Sequence, residues 1–306
     1  MLSYILHRIL MLVPVLFGVT LVSFLLLHMV PGDPAEILAG QEATKEAVDR
    51  IRAEYGLDQP LAVQFVRFVW NAVRGDLGIS IQSRHPVGEL LFQRLRFTLQ
   101  LSLASILVAS AMGLVAGIIS STRQYSIFDN ASMLGALFGI SMPIFWLGLL
   151  LILIFAVRLH WLPSGGTGTL RHFILPAIAL GSASAAVIAR MTRASMLEVT
   201  RQDYIRTARA TGYRERVVIF RHALKNAMIP VLTVFGLEFG YMLGGAVLTE
   251  TVFSLPGIGR LLVEGIFARD YPVVQGAMIL VATTFVLVNL LTDVAYAFFD
   301  PRIRYE

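Results

Sequence analysis

The chain has 306 residues, of which 56% are hydrophobic and only 15% are charged, and its formal net charge is +5. Soluble proteins carry about 25% charged residues, so this composition excludes an ordinary soluble domain and predicts a membrane protein. The sequence contains no cysteine, which excludes disulfides, thiolate nucleophiles and zinc–thiolate sites.

Six apolar runs are long enough, or nearly so, to cross a bilayer, because a helical span needs about 20 apolar residues. We therefore predict an all-α polytopic membrane protein with six transmembrane helices. The first run is too long for a signal-peptide core, so we expect it to remain as a span. The fourth is short and rich in small residues, which favours close packing inside a bundle. The runs are Ile9–Val30, Leu99–Ser120, Ala131–Val157, Phe173–Ala189, Ala227–Leu248 and Gly276–Phe299.

The segment from Pro31 to Phe97 is long, of mixed charge and helix-prone. "ATKEAVDRIRAEYGLDQP" predicts an amphipathic helix that ends at Gly56, and "PLAVQFVRFVWNAVRGDLG" predicts a second that begins at proline and ends at glycine. We interpret the segment as a small helical cap on the extracytoplasmic surface. The predicted organisation is residues 1–97 as first span plus cap, and 98–306 as a five-helix core.

Arginine and lysine favour the cytoplasmic side in short loops. The loop between the fourth and fifth spans is densely basic, whereas the short loops on the opposite side hold only Arg158, Arg171, Arg260 and Arg269. We therefore expect the basic loop and both termini to be cytoplasmic, in the inner membrane of a bacterium. The basic residues of the loop are Arg190, Arg193, Arg201, Arg206, Arg209, Arg214, Arg216, Arg221 and Lys225.

The basic loop itself reads as two short helices with a bend between them. In the first, Tyr204, Ile205 and Ala208 can share one face, and Gly212 then interrupts the pattern. Such a unit can dock into a groove on a partner protein. An interfacial helix bound to anionic lipid explains the basic residues equally well.

The second half of the loop carries an apolar stripe that leads to Pro230, at the start of the fifth apolar run. Val217, Phe220 and Leu224 recur at i, i+3 and i+7, so we expect them to form the packed face of the second helix.

The stretch "DYIRTARATGYRERVVIFRHALKNAMIP" resembles the EAA loop of ABC importer permeases, specifically the peptide/nickel class that includes dipeptide, oligopeptide and glutathione permeases. The spacing of Ala208, Gly212, His222 and Pro230 carries the likeness, and Arg206 stands where a glutamate is usual in the general importer pattern. The likeness extends through "HMVPGDPA", "GLDQP", "GDLGIS", "SMPIFWLGLLLI", "ILPAIALG", "ARMTRASMLEV", "ETVFSLPGIGRLLVEGIFARDYPVVQG" and "DPRIRYE".

This resemblance implies an ABC importer permease fold and a pore-forming subunit that moves short peptides, such as dipeptides, oligopeptides or glutathione. It implies a second, homologous permease subunit, two ATPase subunits and an extracytoplasmic binding protein as partners, besides membrane lipid and without nucleic acid. Nickel stays open as a cargo. The coupling loop, at about 190–227, assigns ATPase contact to Asp203, Tyr204, Arg206, Thr207, Ala208, Ala210, Gly212, His222, Asn226 and Pro230.

No enzymatic motif is expected in this chain. The Gly-Gly-Thr-Gly of residues 165–168 lacks the following Lys-Ser/Thr of a phosphate-binding loop. ATP and Mg are therefore expected only in the partner ATPase subunits, and no cofactor or metal is expected here. The aromatic, outward placement of the cap and of the loop 250–275 suggests contact with the binding protein, at Trp70, Phe253, Pro256 and Gly257.

Ionisable groups inside spans are costly and therefore mark candidate functional positions. His28 is explained by its place near the outer end of the first span, and Asp293 by a structural hydrogen bond. Glu238, near the middle of the fifth run, either faces the pore and meets a substrate amino group or bonds to the partner permease. Together with Gly240 and Gly244 it forms our predicted translocation path.

Two other functions are open to such a sequence. A secondary transporter driven by an ion gradient usually needs discontinuous spans and several ionisable groups at the midplane. An intramembrane hydrolase would use the serines of Gly181–Ser184, but the nearest histidine in the sequence, His172, lies at a span end.

Overall fold

The structure is a computed structural model that describes residues 2–29, 34–39 and 43–299 of the chain. Its regular elements are helices, with one isolated antiparallel bridge between Ile79 and Pro86. Val30 and the final "DPRIRYE" lie outside the described residues, and the side chain of Asp293 is likewise not described.

The helices follow one another with short connections. They are α1 (Leu2–Met29), α2 (Pro34–Ala39), α3 (Lys45–Tyr55), α4 (Leu61–Val73), α5 (Val87–Thr122), α6 (Ile127–Ser141), α7 (Ile144–Leu151) continued by a π-helical segment (Ile152–Arg158), α8 (Arg171–Thr200), α9 (Asp203–Ala210), α10 (Glu215–Val217) continued by a second π-helical segment (Val218–Ala223), α11 (Leu224–Val252), α12 (Ile258–Phe267) and α13 (Tyr271–Phe299).

Several of these helices are long and apolar enough to cross a membrane. Four qualify among the described residues, and a fifth crossing results if the bent pair α6 and α7 counts as one. The four are Val87–Thr122, Arg171–Thr200, Glu215–Gly244 and Tyr271–Thr292. The first predicted span coincides with α1, of which Val13–Leu26 is a shorter apolar helix.

The third predicted span is broken, which corrects the expectation of one continuous helix over 131–157. Its two arms meet at an angle of 105°. Pro143 disfavours helical geometry in the residue before it, and Met142 is extended, with φ −82° and ψ 127°. The bend therefore follows directly from the Met142-Pro143 dipeptide.

Residues 1–98 and 256–284 form one compact unit. The predicted helices of the cap are present. α3 begins at Thr44, whose side chain accepts a hydrogen bond from the Ala47 N–H, and ends at Gly56, with φ +67°. The unit differs from the predicted division into 1–97 and 98–306, because α12 and the first part of α13 belong with the N-terminal helices.

A buried carboxylate ties this first unit together. Asp270 is buried and accepts hydrogen bonds from the hydroxyl of Ser80 at 2.5 Å and from the backbone N–H groups of Ile81 and Gln82, both at 3.1 Å. It thereby joins the turn before α5 to the start of α13. Buried polar groups are costly unless they are hydrogen-bonded, so these contacts specify how the turn sits.

Residues 99–255 and 285–306 form the second unit. Its core lies between α5, α8 and α11, where glycines allow backbones to touch. A Cβ at Gly113 or Gly117 would lie 2.7 Å from the carbonyl oxygen of Ala185 or Ala189, and one at Gly181 would lie 2.7 Å from that of Ser105. Small residues at such contacts are the usual way that helices associate in membranes. The predicted tight packing of the fourth run is therefore confirmed.

An ion pair links α6 to α8 in the same unit. Asp129 is only 2% exposed and receives Arg193 in a two-point contact, with Nε at 3.0 Å and Nη2 at 2.9 Å. The Ser120 hydroxyl and the Tyr125 N–H also donate to this carboxylate. The sequence reasoning missed this pair, although Ser126 to Asp129 has the spacing of a helix N-terminal capping box.

We expect Gly117→Ala to destabilise the chain, because its methyl group would overlap the Thr192 side chain and the Ala189 carbonyl. Overpacking of this kind costs about 1–3 kcal/mol. Gly135→Ala is the matched control, since no atom lies within 4 Å of its Cβ position. Thermal unfolding of the purified variants in one detergent measures the difference, and equal melting temperatures would contradict the packing described.

Candidate functional site

The loop after α8 forms a small folded unit, which we call the coupling unit (residues 201–227). Its first helix, α9, begins after an extended Gln202, with φ −72° and ψ 150°. Ile205 and Ala208 are buried in this helix, whereas Tyr204 is exposed. The predicted shared face is thus correct for Ile205 and Ala208 and wrong for Tyr204.

The predicted bend at Gly212 is present. Gly212 has φ +83°, in the left-handed region that favours glycine. No atom lies within 4 Å of a Cβ built there. The requirement for glycine is therefore one of backbone angle, because there is room for a side chain.

An ion pair closes the bend. The Arg209 guanidinium donates to the Glu215 carboxylate, with Nε at 3.2 Å and Nη2 at 2.8 Å. These hydrogen bonds raise the pKa of Arg209. Both side chains are substantially exposed, so the pair orients the turn and contributes little to stability.

The second half of the coupling unit packs on a different face from the one predicted. Val218, Ala223 and Ala227 are buried, whereas Phe220 is 53% exposed. The stripe of Val217, Phe220 and Leu224 is therefore wrong as the packed face. The cause is the π-helical segment Val218–Ala223, because a π-turn winds more residues into each turn than the 3.6 assumed.

A buried apolar cluster holds the unit together. It joins Met196 of α8 to Ile205 and Ala208 of α9 and to Val218 and Ala223. One polar contact supports it across the unit, since the Asn226 side chain donates to the Tyr204 hydroxyl at 2.8 Å.

The structure thus brings most of the predicted coupling residues into one unit. Asp203, Tyr204, Arg206, Thr207 and Ala210 are exposed along α9, which leaves a polar outer surface above the buried cluster. The His222 ring lies 5.4 Å from that of Tyr213. Pro230 lies inside α11 and does not mark its start.

The predicted translocation residues lie on α11 but in different surroundings. Glu238 is half-buried, and no hydrogen bond or ion pair reaches it from the residues that the structure describes. A Cβ at Gly240 would lie 3.0 Å from the ring of Phe285, so Gly240 serves helix packing. Gly244 is exposed and has open space around it.

The four predicted contacts for a binding protein divide in the same way. Trp70 is 58% exposed, with the Arg74 guanidinium carbon 4.4 Å from its ring centroid. Phe253 is only 1% exposed, so its prediction as a docking side chain is wrong. Its ring fills the space left by Gly148. Pro256 is half-buried and Gly257 is buried.

Comparison with known families now bears on this arrangement. Residues 113–305 match the family described as binding-protein-dependent transport system inner membrane component, and residues 1–104 match its N-terminal family. The chain belongs to this family. It is therefore the permease subunit of an ABC importer, a multi-pass inner membrane protein whose ATPase activity resides in separate subunits.

Curated relatives extend the match over the whole chain. The glutathione transport system permease proteins GsiC of Escherichia coli K12 and Shigella flexneri are each 48% identical over 306 residues, covering 100% of both chains. The resemblance to the peptide/nickel class is thereby confirmed.

Solved structures agree in fold at low sequence identity. An inward-facing MetNI methionine ABC transporter has a TM-score of 0.60 at 18% identity, covering 69% of this chain and 96% of the other. An amino acid ABC transporter has a TM-score of 0.51 at 18% identity, covering 70% and 94%.

The natural absence of cysteine allows a clean labelling test. We expect Trp70→Cys to react with a membrane-impermeant maleimide on intact cells or spheroplasts, because this side chain is exposed and its helix is predicted to lie outside. Phe253→Cys should react only after denaturation in detergent. Labelling of Phe253→Cys as fast as Trp70→Cys in folded protein would contradict the burial described.

Proposed function

We propose that this permease imports glutathione or a similar short peptide across the bacterial cytoplasmic membrane. The observation that carries the proposal is the 48% identity with glutathione transport permeases over the full length of both chains. ATP-dependent uptake of labelled glutathione by proteoliposomes that hold the complete transporter tests it, with a dipeptide and nickel as competing cargoes.

We further propose six spans with both termini in the cytoplasm. In this arrangement α1 supplies the first span and the bent pair α6 and α7 the third. α3 and α4 form the cap outside. The distribution of arginine supports this orientation, because the coupling unit concentrates positive charge and the short loops on the other side hold little.

The coupling unit is the proposed contact with an ATPase subunit. Its outer surface on α9 is exposed and polar, and its inner surface is held by the buried cluster to α8 and to the helical run that leads into α11. A push on α9 would therefore be passed to two spans at once. Two ATPase subunits would bind ATP and Mg and engage this unit and its counterpart in a second, homologous permease.

A binding protein would deliver the substrate at the outer surface, where Trp70 is exposed beside Arg74. The alternative of a secondary transporter loses its support, because the chain belongs to a family of binding-protein-dependent permeases. Family members of this type take their energy from partner ATPase subunits.

Gly212 offers a test of coupling that avoids steric overlap. We expect Gly212→Val to insert normally but to transport little, because a β-branched residue strongly disfavours φ +83°. Gly212→Asn should keep most activity, since asparagine tolerates the left-handed region. The measurements are ATPase subunit content and ATP hydrolysis with and without loaded binding protein. Equal stimulation in both variants would contradict a coupling role for the bend.

Glu238 offers a test of the translocation path. We expect Glu238→Gln to lower uptake at unchanged complex yield if the carboxylate meets a substrate amino group, because the amide keeps the shape and removes the charge. Asp76→Asn, an exposed carboxylate before α5, is the control. Normal uptake by the Glu238→Gln complex would remove Glu238 from the path.

A further inference from the structure

A cleft of about 180 Å³ opens within the first unit, between the end of α1, α4 and the start of α13. A water molecule occupies about 30 Å³ in the liquid, so the cleft has room for about six waters or one small chemical group. It lies apart from the coupling unit and from Glu238. Its chemistry therefore does not depend on the coupling scheme proposed above.

The floor of the cleft carries a buried amide with no partner in the described structure. Gln275 is only 7% exposed and lines the cleft, and no hydrogen bond from the described residues reaches its side chain. A buried polar group without a partner is costly. Gln275 therefore offers a hydrogen bond to whatever occupies the cleft.

Positive charge stands at the mouth. Arg67 of α4 lines the cleft, its Nη1 atom lies close against Gly56, and it forms no ion pair with the described residues. None of the lining residues is acidic. A guanidinium next to neutral amides, without a carboxylate of its own, favours a negatively charged ligand.

The walls add an apolar surface and one more polar atom. The rings of Phe24, Phe68 and Tyr271 line the cleft. The His28 ring lies 4.1 Å from that of Phe24, and its Nδ1–H donates to the Phe24 carbonyl at 2.7 Å. This leaves Nε2 as the remaining polar atom of the imidazole. In the neutral ring Nε2 accepts a hydrogen bond from an N–H or O–H group.

We propose that this cleft binds a compact oxyanion, held by Arg67 and Gln275, whose neighbouring hydroxyl or amino group reaches His28 and whose apolar part rests on the aromatic rings. Two sources offer that chemistry. One is a terminal carboxylate of a short peptide with its amino and amide groups, and the other is the phosphate of a glycerol-bearing phospholipid.

The test uses the complete transporter, purified in a maltoside detergent. One arm titrates reduced glutathione and measures binding by calorimetry. The other titrates phosphatidylglycerol and counts bound lipid by native mass spectrometry. The variants are Arg67→Gln and Gln275→Glu, which replaces the amide by a carboxylate of the same shape. Arg74→Gln is the control, since it removes an equal charge from the region just after α4, away from the cleft.

We expect Arg67→Gln and Gln275→Glu to weaken one ligand by about tenfold or more, the loss of a charge-assisted hydrogen bond, while Arg74→Gln leaves it unchanged. An effect in the glutathione arm assigns the cleft to peptide carboxylates, and one in the lipid arm assigns it to phospholipid. Equal binding by all variants, or no binding of either ligand to the unaltered transporter, overturns the proposal.

Melting temperatures of the variants check that each complex is folded, and Arg67→Gln alone suffices if Gln275→Glu fails to assemble. ATP-dependent glutathione uptake by the unaltered transporter reports on the proposed function separately. A transporter that imports glutathione but shows no Arg67-dependent binding would refute the cleft and leave the function standing.

Discussion

The second unit depends on the need of one buried carboxylate for partners. Asp129 is nearly inaccessible and is satisfied by Arg193, Ser120 and the Tyr125 N–H. Removing one partner of such a pair leaves an uncompensated buried charge, which costs several kcal/mol. The end of α5, the turn after it, α6 and the last third of α8 are thereby held in one relative arrangement.

This arrangement matters because α8 leads directly into the coupling unit. Arg193 lies two turns before the end of α8, and Met196, one turn further, belongs to the buried cluster that holds α9. The clamp on one side of α8 and the cluster at its end are thus contiguous along the helix. Force applied to α9 would be carried by packed side chains and a hydrogen-bonded ion pair, without a flexible joint in the described part of this path.

Local features of the sequence predicted much of this. Thr44 and Gly56 mark the ends of α3, and Gly212 marks the bend, because capping and left-handed backbone angles depend on a few neighbouring residues. The break at Met142-Pro143 also had a local signal, but the apolar run continues through it and hides it from a reading based on hydropathy alone.

Other features depend on residues far away in the chain. Phe253 looks like a loop aromatic available to a partner, yet Gly148 and Gly165 leave the space that buries it, and the Gly166 N–H binds its carbonyl at 2.9 Å. The partners of Asp129 are likewise non-local. No periodicity within the loop marks the π-helical segment at Val218, so the packed face of the second half of the coupling unit was assigned to the wrong residues.

That π-helical segment also restricts how the gene can change. Each residue of an α-helix turns the chain by about 100°, and the extra winding of residues 218–223 has already been absorbed into the way α9 faces its neighbours. Loss of a single codon here would restore regular winding while turning α9, with its polar outer surface, to another bearing. Substitutions along this stretch are tolerable wherever the side chain is exposed, as at Phe220. Insertions and deletions are a different matter, so the length of this segment is inherited under a stricter rule than its composition.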